Sequence, residues 1–122
     1  MQKGDLVPHF AVTTVQGDTA RYDTHWQRRN VVVLSTAGHP AETAAAALGR
    51  AVPDPAALSA VCIVTTEPIG GSTRPLLVVA DQWGEIVEID EAERVEDLPV
   101  HAVRRALEYL EIRCPECEGE AL

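Results

Sequence analysis

The sequence predicts a single α/β domain built around a mixed sheet. Two apolar runs, "NVVVLST" and "LSAVCIVTT", show no polar face, as expected of strands covered on both sides. The alanine-rich segment between them favours a helix, so the two strands should be parallel. Further along, "LLVVADQWGEIVEID" indicates two antiparallel strands joined by a tight turn, which makes the sheet mixed. A chain of 122 residues, 46% of them hydrophobic, is enough for one core of ordinary size.

The first elements form an N-terminal β-hairpin. The segment "PHFAVTTVQGDTARY" alternates apolar and polar residues around a Gln-Gly-Asp turn, which predicts strands from about His9 to Val15 and from Thr19 to Tyr22. A short helical or irregular bridge, "DTHWQRRN", then leads into the central strand. The hairpin is therefore expected to precede the parallel unit.

Helices are expected on both faces of the sheet. Pro40 suits a first helical turn, and high helix propensity continues to about Val52. Asp54 can cap a further turn through Leu58. After "EAERVED", a charged run typical of a surface loop, a final amphipathic helix begins near Pro99. Its apolar positions are Val100, Val103, Leu107 and Leu110.

Composition excludes several classes of partner. Ten basic and 19 acidic residues give a formal charge of -9, which repels nucleic-acid phosphates and anionic lipid surfaces. No stretch is apolar and long enough to span a bilayer, and "MQKGDLVPHF" lacks the apolar core of a signal peptide. We therefore expect a cytoplasmic protein with no nucleic-acid or membrane partner.

The order of elements and two motifs resemble the thioredoxin fold. The resemblance is to the redoxin and peroxiredoxin branch, which includes alkyl hydroperoxide reductases and thiol-specific antioxidant proteins. "GDLVPHFAVTTVQGDTARY" is similar to the opening of that branch, and "RPLLVVADQWGEIV" is similar to its Pro-x-x-x-x-x-Asp-x-x-Gly segment. The resemblance implies that Pro75 is cis and faces the active site, with Asp81 and Gly84 completing the motif.

The active-site motif of these relatives is degenerate here. In redoxins it reads approximately Thr-Trp-Cys-x-x-Cys, and it falls on "TAGHPA", so Thr36 and Pro40 match. Both cysteine positions are occupied by other residues, Gly38 and Ala41, and no cysteine occurs between Met1 and Val61. The chain therefore has no peroxidatic cysteine, and peroxidase activity is not expected.

The degenerate junction could still bind a ligand. A helix N-terminus offers unpaired N–H groups and a partial positive charge whether or not a thiol is present. Thr36, Gly38, His39 and Pro75 could then bind a carboxylate, a phosphate or a peptide carbonyl. The alternative is an inert junction with a capped helix start.

The chain carries a second cysteine motif in its acidic tail, residues 113–122, beyond a thioredoxin-like domain of residues 1–112. Cys114 and Cys117 form Cys-Pro-Glu-Cys, a spacing shared by dithiol redox motifs and half of a zinc site. The surrounding glutamates favour protonated thiols, which argues against a fast nucleophile. Two chains meeting at their tails would complete a four-cysteine zinc site. The pair is thus redox-active, metal-binding in a homodimer, or without a defined role.

Two functional hypotheses follow. The leading one is a redoxin-like thiol-disulfide protein in which one cysteine of the CPEC pair attacks a protein disulfide and the other resolves it, with no cofactor. The alternative is a non-catalytic binding or assembly module, with zinc as a possible metal.

The other reactive side chains are expected to be structural. Cys62 lies within an apolar strand, as a small core residue does. His9 and His25 have no acidic or cysteine partner at ligand spacing, and His101 belongs to the exposed part of the last helix. Trp26 and Trp83 are expected to pack in the core and at a turn. If Trp83 is exposed, it would indicate a contact surface.

Overall fold

A computed structural model describes residues 1–112. A four-stranded sheet has the order β4-β3-β5-β6, and β1 and β2 form a separate antiparallel hairpin. Neither α-helix in the described range is long and apolar enough to cross a bilayer. The strands are β1 (Ala11–Thr13), β2 (Thr19–Arg21), β3 (Asn30–Ser35), β4 (Ala60–Thr65), β5 (Leu76–Ala80) and β6 (Ile86–Glu91); the helices are α1 (Glu42–Ala51) and α2 (Val103–Ile112).

The sheet has the mixed topology expected from the sequence. β3 runs parallel to β4, with Asn30 opposite Ala60, and antiparallel to β5. β5 pairs antiparallel with β6 across the turn that the sequence predicts. Every residue of β3 is buried, as expected for a central strand without a polar face.

The alternating side chains of β3 separate two apolar clusters. Val32 and Leu34 join both α-helices and the residues around them in one cluster. Val31 and Val33 face the other side, where the hairpin and a 3₁₀ turn, Tyr22–Thr24, cover the sheet. Helical segments therefore lie on both faces, although both α-helices share one face.

Several element bounds differ from the sequence prediction. α1 begins at Glu42, because Ala41 takes the N-cap position and Pro40 lies before it. A 3₁₀ turn, Val100–Ala102, follows Pro99, so α2 begins only at Val103. The turn predicted after Asp54 is present as 3₁₀ helix, Pro55–Leu58, but the Asp54 side chain makes no capping hydrogen bond.

Candidate functional site

The structure gathers four predicted site residues at one end of the sheet. Ser35 pairs with Leu76, which brings the residue after β3, Thr36, near the residue before β5, Pro75. Gly38 and His39 follow at the start of the α1 connection. Pro75 is buried, but its peptide bond is trans, so the cis geometry implied by the resemblance is not found.

The junction between β3 and α1 is closed by its own hydrogen bonds. The Gly38 N–H donates to the Thr66 carbonyl at 2.7 Å, and the His39 N–H donates to the Thr36 carbonyl at 3.2 Å. The Thr36 hydroxyl, fully buried, donates to the His39 carbonyl at 2.5 Å. The two amides expected to receive a ligand therefore already have acceptors within the loop. Ligand binding at Gly38 and His39 stays a prediction.

The loop after β4 also closes over this junction. The Ser35 hydroxyl donates to the Glu67 carbonyl at 2.6 Å and accepts the Ala37 N–H at 3.2 Å. The Glu67 N–H in turn donates to the Thr65 hydroxyl at 3.1 Å. These part-buried hydrogen bonds connect the end of β3 to the loop that follows β4.

Neither position that the resemblance assigns to a cysteine has the geometry of an exposed nucleophile in ordinary backbone conformation. Gly38 is exposed but has a φ of +94°, which a cysteine rarely adopts. Ala41 is buried at the N-cap of α1, with 3% of its surface exposed. The only cysteine in residues 1–112 is Cys62, in β4, and burial raises its pKa to about 11. The thiol of Cys62 therefore stays protonated, in agreement with its expected structural role.

The CPEC pair, Cys114 and Cys117, lies outside the described residues. Within residues 1–112, no three histidine, cysteine, aspartate or glutamate side chains are placed to hold a metal ion. The zinc alternative for the pair stays a prediction.

Replacing Thr36 by valine should loosen the closed junction. The valine keeps the volume but removes the hydroxyl donor to the His39 carbonyl. We expect a loss of about 1–2 kcal/mol in the free energy of unfolding, measured by urea denaturation. Thr36→Ser retains the donor and is the matched control. A valine variant as stable as the wild type would show that this hydrogen bond does not hold the junction.

A groove opens directly beside the closed junction. It has a volume of about 1050 Å³ and runs along one side of α1, from His39 to Ala51. The opposite wall is the connection between β6 and α2. Its apolar surface comes from Pro40, Ala44, Ala47, Ala51, Val95, Leu98 and Val100. Its polar rim comes from His39, Thr43, Arg50, Glu93, Arg94, Glu96 and His101.

Charges of both signs line the rim. Arg94 and Glu96 form an exposed ion pair at 2.7 Å. The Glu96 pKa is lowered, mainly by a hydrogen bond from its own backbone N–H, then by Arg94, with a smaller contribution from His39. Arg50, on α1, has no ion-pair partner among the described residues. Arg50 thus lies near one end of the groove and His39 near the other.

Sequence reasoning missed this groove. The sequence predicts a solvated charge run at "EAERVED", whereas residues 93–96 of this segment form part of one wall of the groove. His101 is exposed as predicted, but it also lines the groove. One available signal was the spacing of Thr43, Ala47 and Arg50, a helical stripe of small and polar residues.

The remaining candidates lie away from the groove. Trp26, expected to be buried, is 49% exposed and Trp83 is 47% exposed, with the Trp26 indole N–H donating to the Trp83 carbonyl at 3.2 Å. They are near the β5–β6 turn, at the sheet end opposite the junction. His9 packs edge-on against Tyr22 at 6.0 Å between ring centroids. Burial, and then Arg29, lowers the pKa of His25.

Comparisons with known proteins identify the fold. No known family pattern matches the chain, and no curated protein sequence matches it. Mycobacterium tuberculosis AhpC superposes with a TM-score of 0.65 at 12% identity, covering 96% of this chain and 98% of that chain. Peroxidoxin BcpB from Mycobacterium tuberculosis superposes with a TM-score of 0.63 at 17% identity, covering 93% of this chain and 99% of that chain.

A thiol-disulfide oxidoreductase gives a similar result. The thioredoxin domain of BVU-2223 from Bacteroides vulgatus superposes with a TM-score of 0.56 at 12% identity, covering 89% of this chain and 97% of that domain. Structural matches at such low sequence identity establish the architecture of the chain but not its activity. The chain has a thioredoxin-like fold.

Proposed function

We propose that this chain is a non-catalytic binding module that holds an extended peptide segment in the groove beside α1. The observation that carries the proposal is the groove itself, which opens next to a junction that has no thiol and no free amide at Gly38 or His39. In this account the fold is retained as a scaffold, and binding has replaced chemistry at the end of β3.

The shape and lining of the groove suit a peptide. Its alanine surface allows a backbone to approach α1 closely, because no long side chain projects from Ala44, Ala47 or Ala51. Charges of both signs along the rim, together with two histidines, can pair with polar side chains of a bound segment. The volume of about 1050 Å³ is slightly above the upper end of ordinary small-molecule pockets, which leaves room for several residues.

A selection from a random peptide library displayed on phage, using the full chain, tests this proposal. Ala47→Trp fills the groove, whereas Ala46→Trp places the same side chain on an exposed position that does not line it. We expect enriched peptides to bind the Ala47→Trp variant about tenfold more weakly and the Ala46→Trp variant nearly normally. Failure to enrich any peptide, or equal binding to both variants, would contradict the proposal.

The second candidate is thiol-disulfide exchange by Cys114 and Cys117. It is favoured by the CPEC spacing and by the structural neighbours, which include a protein named as a thiol-disulfide oxidoreductase. One thiolate would attack a protein disulfide, forming a mixed disulfide and releasing one substrate thiolate. The second would then attack the mixed disulfide, closing the Cys114–Cys117 disulfide and releasing the other substrate thiolate. A dithiol reductant would then return the pair to its reduced form.

Reduction of insulin disulfides by dithiothreitol, with and without the full chain, tests this candidate. If the pair is redox-active, the chain should accelerate the reaction and Cys114→Ser should abolish the acceleration while thermal unfolding stays unchanged. The binding-module account expects no acceleration by either protein. A cytoplasmic location, protein partners and a homodimer stay predictions.

A further inference from the structure

Three exposed apolar side chains gather around the β5–β6 turn and form a tryptophan patch. They are Leu6, Trp26 and Trp83, with 71%, 49% and 47% of their surface exposed. The Trp26 indole N–H donates to the Trp83 carbonyl at 3.2 Å, and Leu6 pairs with Glu85 at the end of the turn. Large apolar residues scattered singly over a surface are ordinary, but three around one turn indicate a contact surface.

We propose that the tryptophan patch is the interface of a symmetric homodimer, in which a second copy of this chain covers it. The patch lies at the sheet end opposite the β3–α1 junction, and none of its residues lines the groove. The inference therefore goes beyond the proposed function and does not depend on it. Both copies would keep an open groove, so the dimer could bind two peptide segments at once.

The sheet order places opposite charges on the two sides of the patch. Arg28 and Arg29 come directly before β3, whereas Glu85 comes directly before β6. Since β5 lies between β3 and β6, the two sides are separated by two interstrand spacings, about 10 Å. Beyond β6 lies Asp5, whose carbonyl accepts the Ile86 N–H at 2.9 Å. The β3 side of the patch is therefore basic and the β6 side is acidic.

These charges are available for contacts with a partner. Both arginines and Glu85 are exposed, and none of the three forms an ion pair within residues 1–112. Glu88, further along β6, is already paired with Lys3 at 3.8 Å. Glu85 can therefore pair with an arginine of a second copy without breaking an existing ion pair.

Two-fold symmetry matches this distribution of charge. In a symmetric dimer each contact occurs twice, so an axis through the turn brings the basic side of each copy onto the acidic side of the other. The same rotation brings Trp26, in the segment before β3, toward Leu6 beside β6 of the other copy. A partner with charges of one sign would match only one side of the patch. A second copy matches both.

The acidic composition of the chain does not prevent this contact. The formal charge of -9 opposes association of two copies. At physiological ionic strength, however, exposed charges are largely screened beyond about 8 Å. The charges that lie across the interface from each other therefore outweigh those on the rest of the surface.

Sedimentation velocity of the full chain, over a concentration series up to about 1 mM, tests the inference. Both tryptophans of the chain lie in the patch, so their fluorescence provides a second measurement. We expect association at the upper concentrations, with a blue shift of the emission because the partner excludes water from the indoles. Trp83→Ser should weaken association at least about tenfold. Tyr109→Ser removes a similarly exposed aromatic side chain from α2 and should leave association unchanged.

Charge reversal tests the two-fold contact itself. One variant carries Arg28→Glu with Arg29→Glu, and another carries Glu85→Arg. Each variant alone places like charges opposite each other and should associate at least about tenfold more weakly than the wild type. An equimolar mixture of the two should form a heterodimer at least as stable as the wild-type dimer, because opposite charges then face each other at both contacts. Misfolding of either variant would not produce this recovery.

Three results would overturn the assignment. A chain that stays monomeric throughout the concentration series would show that the patch is not a dimer interface. Equal effects of Trp83→Ser and Tyr109→Ser would place the association on another surface. Charge-reversed variants that fail to associate on mixing would exclude the two-fold contact.

Discussion

Replacing Gly84 by alanine should lower the free energy of unfolding by about 3 kcal/mol. Gly84 lies in the β5–β6 turn with a φ of +85°, a left-handed conformation that costs alanine more than glycine. A methyl group there would also overlap the hydroxyl oxygen of Tyr22, whose side chain is buried in the second apolar cluster. The backbone strain and the steric overlap with Tyr22 therefore both destabilise the Gly84→Ala variant.

The matched control is Gly17→Ala. Gly17 has a φ of +91°, but a methyl group at this position meets no atom within 4 Å. We expect this variant to lose only the conformational part, about 1 kcal/mol, in urea unfolding. Equal losses for the two alanine variants would contradict the packing described at Gly84.

A double variant isolates the overlap at Gly84. The Tyr22 hydroxyl is buried and has no hydrogen-bond partner among the described residues, so Tyr22→Phe alone should change stability by less than about 1 kcal/mol. Burial, and then the charge of Asp81, raises the pKa of this phenol, which keeps it neutral. Tyr22→Phe should recover about half of the Gly84→Ala loss.

Truncating Leu107 to alanine should cost about 3 kcal/mol. Leu107 is 0% exposed and packs in the cluster that joins α2 to the sheet and to α1, so its removal leaves a cavity under α2. Ile112, at the end of the same helix, is 80% exposed, and Ile112→Ala should change stability by less than about 0.5 kcal/mol. Thermal and urea unfolding of both variants measure the difference. Similar losses would mean that α2 is not anchored through Leu107.

The sheet was predictable because its signals are local. The unbroken apolar pattern of β3 requires cover on both faces, and the short β5–β6 turn requires antiparallel pairing. Helix bounds were less predictable, since Pro40 and Pro99 suit either a helical first turn or the residue before it.

The candidate site was predictable only in its location. Thr36, Gly38, His39 and Pro75 meet at one sheet end, as the pairing of β3 with β5 requires. The Gly38 N–H is not free because it donates to the Thr66 carbonyl in the loop after β4. The local sequence around Gly38 does not specify this contact between distant segments. The groove likewise arises between two segments about fifty residues apart in sequence, so its volume depends on tertiary packing.

The most direct test is a calorimetric titration of one library-selected peptide into three full-length proteins: the wild type, Ala47→Trp and Cys114→Ser. If the groove is the functional surface, Ala47→Trp weakens binding about tenfold and Cys114→Ser changes it by less than about twofold. The reverse pattern, with binding lost only when the Cys114 thiol is removed, would contradict the account and assign function to the CPEC pair.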